Sequence, residues 1–321
     1  MESIDINNIL TDNSRFSLND TVFVSGTETY SCAGSFDELG ILNPVIVQTD
    51  EEGSLHLVDG GKRIQYAKQN RMASVDAVVL PGDTQVTDII TLILCDKREN
   101  IWSSVMNRVQ FINYAVGLNA PEEWLIESLF VPLGLKPHTE TLHSCERINA
   151  LPKELRRFCH EKKFSMKQLI NLSSYPDDLL GLLIEWNSAL HLTASTMDEI
   201  ASNLKGWLRS QNKGVADLMN DAEIREILGS SMDPRDKTER LRQLIRTRQF
   251  PVLTKVNSRI EKAASDLKLS KDIDIKWDRT LENKNAALSI NINDPGKWQN
   301  VLDTLGSKEV KEALEDILNE L

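Results

Sequence analysis

No apolar run in the sequence approaches the roughly 20 residues that cross a bilayer. Its start, Met1-Glu2-Ser3-Ile4-Asp5, has neither the basic residues nor the apolar stretch of a secretory signal. These absences point to a cytoplasmic chain with no membrane partner. Cysteine is scarce: Cys32, Cys95, Cys145 and Cys159 are scattered and form no CxxC pair, which argues against a disulfide framework and predicts free thiols. His138, His143, Cys145, Cys159 and His160 match no common zinc-ligand spacing, so no zinc site is expected. Positive charge is also short, with 37 Lys and Arg against 48 Asp and Glu for a net charge of -11. A dedicated nucleic-acid binder usually carries a basic domain or face that replaces phosphate counterions, so any such surface here must be local.

What is present is a folding chain. With 40% hydrophobic and 26% charged residues over 321 positions, the composition is that of a globular protein of two or three domains. Over the first hundred residues, Thr21–Val24, Pro44–Val47, Leu55–Val58 and Val75–Leu80 are β-rich runs, and Asp50-Glu51-Glu52-Gly53 is a polar hairpin turn. A helix is expected over Ile64–Gln69. From about Thr84 to Leu269 apolar residues recur at helical spacing, as in Val105, Val109, Ile112 and Val116 or Leu179, Leu182, Leu183 and Trp186. Ile273–Trp277 and Ala287–Ile292 then alternate as strands, and Trp298–Leu305 and Glu309–Leu321 read as helices. The six tryptophans are spread through the chain and are expected to anchor cores or interfaces.

The densest motif is Val58-Asp59-Gly60-Gly61-Lys62-Arg63, a strand-to-helix turn. Two glycines let backbone approach a ligand closely, and the N–H groups that open a helix favour an anion. Lys62 and Arg63 add cationic side chains. A turn whose glycines serve geometry and whose basic residues are merely solvated is the alternative reading of these residues.

The surrounding stretch, Leu39-Gly40-Ile41-Leu42-Asn43-Pro44-Val45-Ile46-Val47, a hairpin, then Leu57 to Ala67, is similar to the N-terminal domain of the ParB family. There a Gly-Ile pair, a proline and a strand precede a second strand that ends in a Gly-x-Arg-Arg turn. The resemblance continues in Arg147-Ile148-Asn149-Ala150-Leu151-Pro152-Lys153-Glu154-Leu155 and in Lys162 to Leu169, which look like the family's Leu-Pro-x-Glu step and the helices around a DNA-reading helix-turn-helix. It implies a ParB/sulfiredoxin-like α/β domain over 1–100 and a helical domain with a degenerate helix-turn-helix over 101–270; with the ββα unit that the C-terminal residues themselves predict over 271–321, the chain is expected to be an α+β protein. The resemblance further implies CTP with Mg²⁺ as ligand, with Asp59, Gly60, Gly61, Lys62 and Arg63 holding phosphate and Asp96 or Glu99 holding the metal. DNA would meet Arg147, Lys153, Arg156, Arg157, Lys162, Lys163 and Lys167. A second copy of the chain or another protein is the further expected partner, through chromosome or plasmid partition or transcription.

The sequence also departs from the family. Its segment Thr27–Gly34 has no proline or arginine where nucleotide-binding members have both, and Cys95-Asp96 stands where Glu-Asn is expected. The candidate recognition helix, about Thr139 to Ile148, offers two glutamates and only Arg147 as a strong base. Sulfiredoxin's nucleophilic cysteine has glycine, Gly61, at its place. The preferred reading is therefore non-catalytic. A protein-interaction module that has lost both ligands is one alternative; a metal-dependent phosphohydrolase or nuclease, or CTP hydrolysis, is another. A second basic stretch, Arg235 to Lys271, holds eleven Lys and Arg against four Asp and Glu and is expected to coat helices around Leu241, Leu244 and Ile245.

Overall fold

The computed structural model describes residues 1–11, 15–18, 22–23, 40–267, 269–270, 272–292, 294, 296 and 298–321. The chain is mixed α and β, with a five-stranded sheet near the start, a long helical run and a strand pair near the end. It divides into two compact units, 1–188 with 192–198, and 189–191 with 199–321.

In the first unit, β1 (Glu2–Asp5), β2 (Ile9–Leu10), β3 (Val45–Thr49), β4 (Leu55–Asp59) and β5 (Ser74–Leu80) form a sheet in the order β1-β5-β3-β4-β2. β3 runs antiparallel to β4 and parallel to β5, β1 antiparallel to β5, and β2 parallel to β4. The hairpin turn between β3 and β4 forms where its residues predict. Asp50 Oδ1 accepts from the N–H of Ser54 at 2.7 Å and of Glu52 at 3.0 Å, and Gly53 takes a positive φ of 83°. Helix α1 (Gly61–Gln69) lies between β4 and β5, and Ile64 and Ala67 on it join Ile4, Val45, Val47, Leu57, Val75 and Ala77 in one buried core. Val45, Val47 and Ala77 are fully buried, and each Val removed from water contributes about 1.5–3 kcal/mol.

The strand expected over Thr21–Val24 is not found at its two described residues, since Val22 is in a bend and Phe23 in irregular backbone; Thr21 and Val24 lie outside the described residues. β1 and β2 occupy a stretch where no strand is expected.

Helices follow: α2 (Val86–Asp96), α3 (Arg98–Trp102), α4 (Val105–Gly117), α5 (Glu122–Trp124), continued by a wider turn over Leu125–Leu129, then α6 (Thr139–Asn149), α7 (Lys153–Glu161), α8 (Met166–Leu172) and α9 (Asp177–Trp186). α4 is the hub. Met106, Val109, Phe111, Ile112 and Ala115 on it are fully buried, and α6, α7 and α8 pack against it. Local chemistry sets the ends: Ser104 caps α4 at the N–H of Asn107, and Ser165 with Gln168 forms a reciprocal capping box on α8. The helix expected over Thr139–Ile148 is α6.

α10 (Ala194–Gln211) is followed in the second unit by α11 (Val215–Met219), α12 (Ala222–Gly229), α13 (Pro234–Gln249), α14 (Pro251–Asp266), β6 (Ile273–Trp277), β7 (Ala286–Ile290), α15 (Trp298–Leu305) and α16 (Lys308–Glu320). Within the basic stretch, Arg242 reaches Glu199 at 2.6 Å and Glu239 at 2.7 Å, Arg248 reaches Asp221 at 2.6 Å, and Arg259 reaches Glu320 at 3.1 Å. Leu241 and Ile245 form the buried stripe. β6 and β7 pair antiparallel and pack on α14 and α16 through Ile260, Ile275 and Ile317. Among the described residues no helix is long and apolar enough to cross a membrane.

Candidate functional site

The turn after β4 is shaped by close packing. Gly60 has a φ of 112°, and a Cβ added there would lie 2.7 Å from Val45 Cγ1. Glycine alone fits both restraints. Opposite Asp59, the β3–β4 register shifts between Ile46 and Val47, a bulge of the kind that re-aims a strand end.

Asp59 and Arg63, one helical turn apart, close the turn on itself. The Arg63 guanidinium donates to Asp59 Oδ2, to the Pro44 carbonyl and to the Asn43 carbonyl at 3.3 Å. Its side chain is only 16% exposed. Arg63 thus ties α1 to the entrance of β3, and it is not among the residues lining the cleft described next.

A cleft of about 700 Å³ opens at this turn. Gly60, Gly61 and Lys62 form its head, Gln65, Lys68 and Gln69 continue along one face of α1, and Leu57, Val58 and Ile64 give an apolar floor. Phe16, Ser17 and Leu18 form a wall, and Ile93 and Lys97 from the end of α2 line it as well. The N-cap residue of α1 is Gly60, which offers no side chain to the first-turn N–H groups, and Gly60, Gly61 and Lys62 of this helix start line the cleft. Lys68 donates to Thr11 Oγ1 at 3.2 Å.

Lys97 binds two carboxylates, Asp59 Oδ1 at 3.1 Å and Asp96 Oδ2. Burial works against its charge, but Asp96 and Asp59 outweigh burial and hold the ammonium above the ordinary lysine range. Asp96 and Glu99, the residues expected at a Mg²⁺ ion, are both exposed, and neither lines the cleft. Among the described residues no three His, Cys, Asp or Glu side chains gather as a metal site. The segment Thr27–Gly34 lies outside the described residues.

The residues expected at DNA are split by their contacts. On α6, Leu142, Cys145 and Ile148 are buried, while on the exposed face Arg147 pairs with Glu140 at 3.2 Å and His143 meets Glu146 at 3.4 Å. Arg156 is half-buried and donates to Asn149 at 2.9 Å; burial lowers its pKa. Arg157 stacks over the Phe23 ring, Lys162 lies over Phe158, and Lys163 donates to the Ser103 carbonyl at 2.8 Å. Lys153, Arg157, Lys162, Lys163 and Lys167 are all exposed, with Lys153 and Arg157 four residues apart on one face of α7.

No family model matches the chain, and no curated protein matches it. Among solved structures it is similar to ParB. One such structure is the C-terminally truncated chromosome-partitioning protein ParB from Caulobacter crescentus complexed to the centromeric parS site, at 12% identity over 63% of this chain and 99% of that one, with a TM-score of 0.35. Another is the same truncated ParB complexed with CTP-gamma-S, at 13% identity over 57% of this chain and 96% of that one, with a TM-score of 0.24.

Lys68 and Lys97 line the cleft and are passed over by sequence reading; Lys97 is the more distant. It lies far from the glycine turn along the chain, in a segment read for its carboxylates, and only the return of α2 to the end of β4 brings it to the cleft. Phe16, on the opposite wall, carries no motif either. Its position is fixed by Tyr114 Oη, which donates to the Phe16 carbonyl at 2.8 Å.

Proposed function

We propose that the chain is a ParB-like, DNA-associated protein whose N-terminal sheet domain binds a nucleotide through its phosphate. The observation that carries this reading is the cleft at Gly60-Gly61-Lys62. A left-handed glycine, an uncapped helix start and lysines at positions 62, 68 and 97 converge on one concavity with an apolar floor. A phosphate would take the N–H groups at the head, and the floor of Leu57, Val58 and Ile64 would accept the less polar part of the ligand. Asp59 and Arg63 hold the turn in shape. CTP is the first nucleotide to test.

The exposed cations Lys153, Arg157, Lys162, Lys163 and Lys167 support DNA contact by α7 and α8, through backbone phosphates rather than base edges. The paired charges on α6 favour a second reading, in which that face meets a protein.

Isothermal titration of the full chain with a ribonucleotide panel tests the first part. Heat and a raised Tm with CTP are expected; silence with every nucleotide overturns the reading. A gel shift at low salt tests the second. Duplex binding that weakens on Arg157→Ala and Lys167→Ala, and that falls steeply with salt, is expected. No shift at the lowest salt favours the protein-interaction module.

A further inference from the structure

A Mg²⁺ shared with nucleotide phosphates needs one or two open carboxylate oxygens in octahedral array. Of the carboxylates beside the turn, Asp59 is not open, and Asp96 is exposed but lies off the cleft lining. Asp59 gives one oxygen to Arg63 and the other to Lys97 at 3.1 Å, and the same Lys97 ammonium holds Asp96. Glu99 sits on the short helix α3, exposed and away from the cleft lining. With no three potential ligand side chains gathered among them, the described residues do not fit a metal ion at this cleft.

A cation is there nonetheless. The Lys97 side chain is 34% exposed, fixed between two carboxylates, and on the cleft wall. Resting on the nucleotide reading above, we propose that the cleft binds its nucleotide phosphate without a divalent metal ion, with Lys97, together with Lys62 and Lys68, countering the phosphate charge. Arg63 takes no part in that, because its guanidinium is turned to Asp59 and to the Asn43 and Pro44 carbonyls and does not line the cleft. Lys97 also has a second effect: it occupies Asp59, which lines the cleft, and one oxygen of Asp96, the carboxylates that would otherwise recruit a metal.

Titration of the full chain with CTP in EDTA and in Mg²⁺ is the test, repeated for Lys97→Gln and Lys97→Arg. The expected result for the unaltered chain is a Kd that agrees between the two buffers within about threefold. Lys97→Gln is expected to weaken binding in EDTA by about tenfold, the loss of one charge-assisted contact, and to become Mg²⁺-dependent as Asp59 and Asp96 are released. Lys97→Arg should keep metal-free binding. Binding by the unaltered chain only in Mg²⁺ overturns this inference and leaves the nucleotide reading standing, and so does Lys97→Gln binding as the unaltered chain does. Absence of binding in both buffers overturns both. The buffer comparison needs no variant, so a Lys97 variant that failed to fold would still leave the proposal open to refutation.

Discussion

Asn107 and Phe23, 84 residues apart in sequence, bond as two strands would: the Phe23 N–H donates to Asn107 Oδ1 at 2.9 Å, and Asn107 Nδ2 donates to the Phe23 carbonyl at 2.6 Å. The amide is fully buried on α4 and also donates to the Asn100 carbonyl at 2.8 Å. One side chain therefore satisfies both backbone groups of Phe23. Asn107→Leu would leave the Phe23 N–H and carbonyl without this partner, at a cost of about 2–4 kcal/mol. The expected readout is a lower urea midpoint with an unchanged m value.

The glycine turn is predicted to be intolerant in a specific way. Gly60→Ala combines a left-handed φ with a Cβ pressed on Val45, and it should lose about 2 kcal/mol or more in thermal or urea unfolding. Gly181 offers the opposite case within α9, where an added Cβ meets nothing within 4 Å. Gly181→Ala should therefore stabilise by about 0.5–1 kcal/mol.

His160 gives the fold a pH dependence. The ring is buried, with Nδ1 2.8 Å from Ser104 Oγ, and burial followed by the charges of Lys163 and Arg157 lowers its pKa from 6.5 to about 4. Between those values the unfolded chain binds a proton that the folded chain refuses, so stability falls as pH drops from about 6.5 towards 4. From neutral pH to about pH 5 this group alone should cost about 2 kcal/mol. Urea unfolding of the unaltered chain and of His160→Asn at both pH values isolates it: the variant should lose that part of the slope, and equal slopes would refute the assignment.

The thiols should separate by reactivity. Burial pushes Cys145 up to about 12 and Cys159 higher still, whereas Cys95 is exposed. Since the thiolate is the reactive species, native alkylation near pH 8 should mark Cys95 and spare Cys145 and Cys159 until denaturant is added. Peptide mass spectrometry reads each site directly.

Much of the fold was legible because it is written in local chemistry. β3, the Asp50 hairpin, β4, α1 and β5 follow from alternation, a turn sequence and a glycine pair, all within 36 residues from Val45 to Leu80. The helical run followed from its apolar spacing. β1 and β2 were not legible, since Glu2–Asp5 and Ile9–Leu10 are too short to show a period, and they become strands only by pairing with β5 and β4. The contacts of Arg63 were not legible for a related reason: a basic side chain beside glycines reads as a ligand group, and its neighbour in space, the Pro44 carbonyl, lies nineteen residues earlier in the chain.

The sequence by itself determined where the turn is, because a glycine pair between an apolar strand run and a helical run marks it locally; that Gly60 must be glycine was decided by its left-handed backbone and by Val45 packed against it. The sequence also determined that an N-terminal α/β segment would be followed by helices. Only the tertiary structure decided which cations line the cleft and which close the turn. Arg63 turned inward to Asp59 and the β3 entrance, and Lys97 arrived from the end of α2. It also decided that the β6–β7 pair packs on α14 and α16, a choice that two short strands leave open. Both decisions depend on contacts between residues far apart in the chain, where burial and charge are set by neighbours in space.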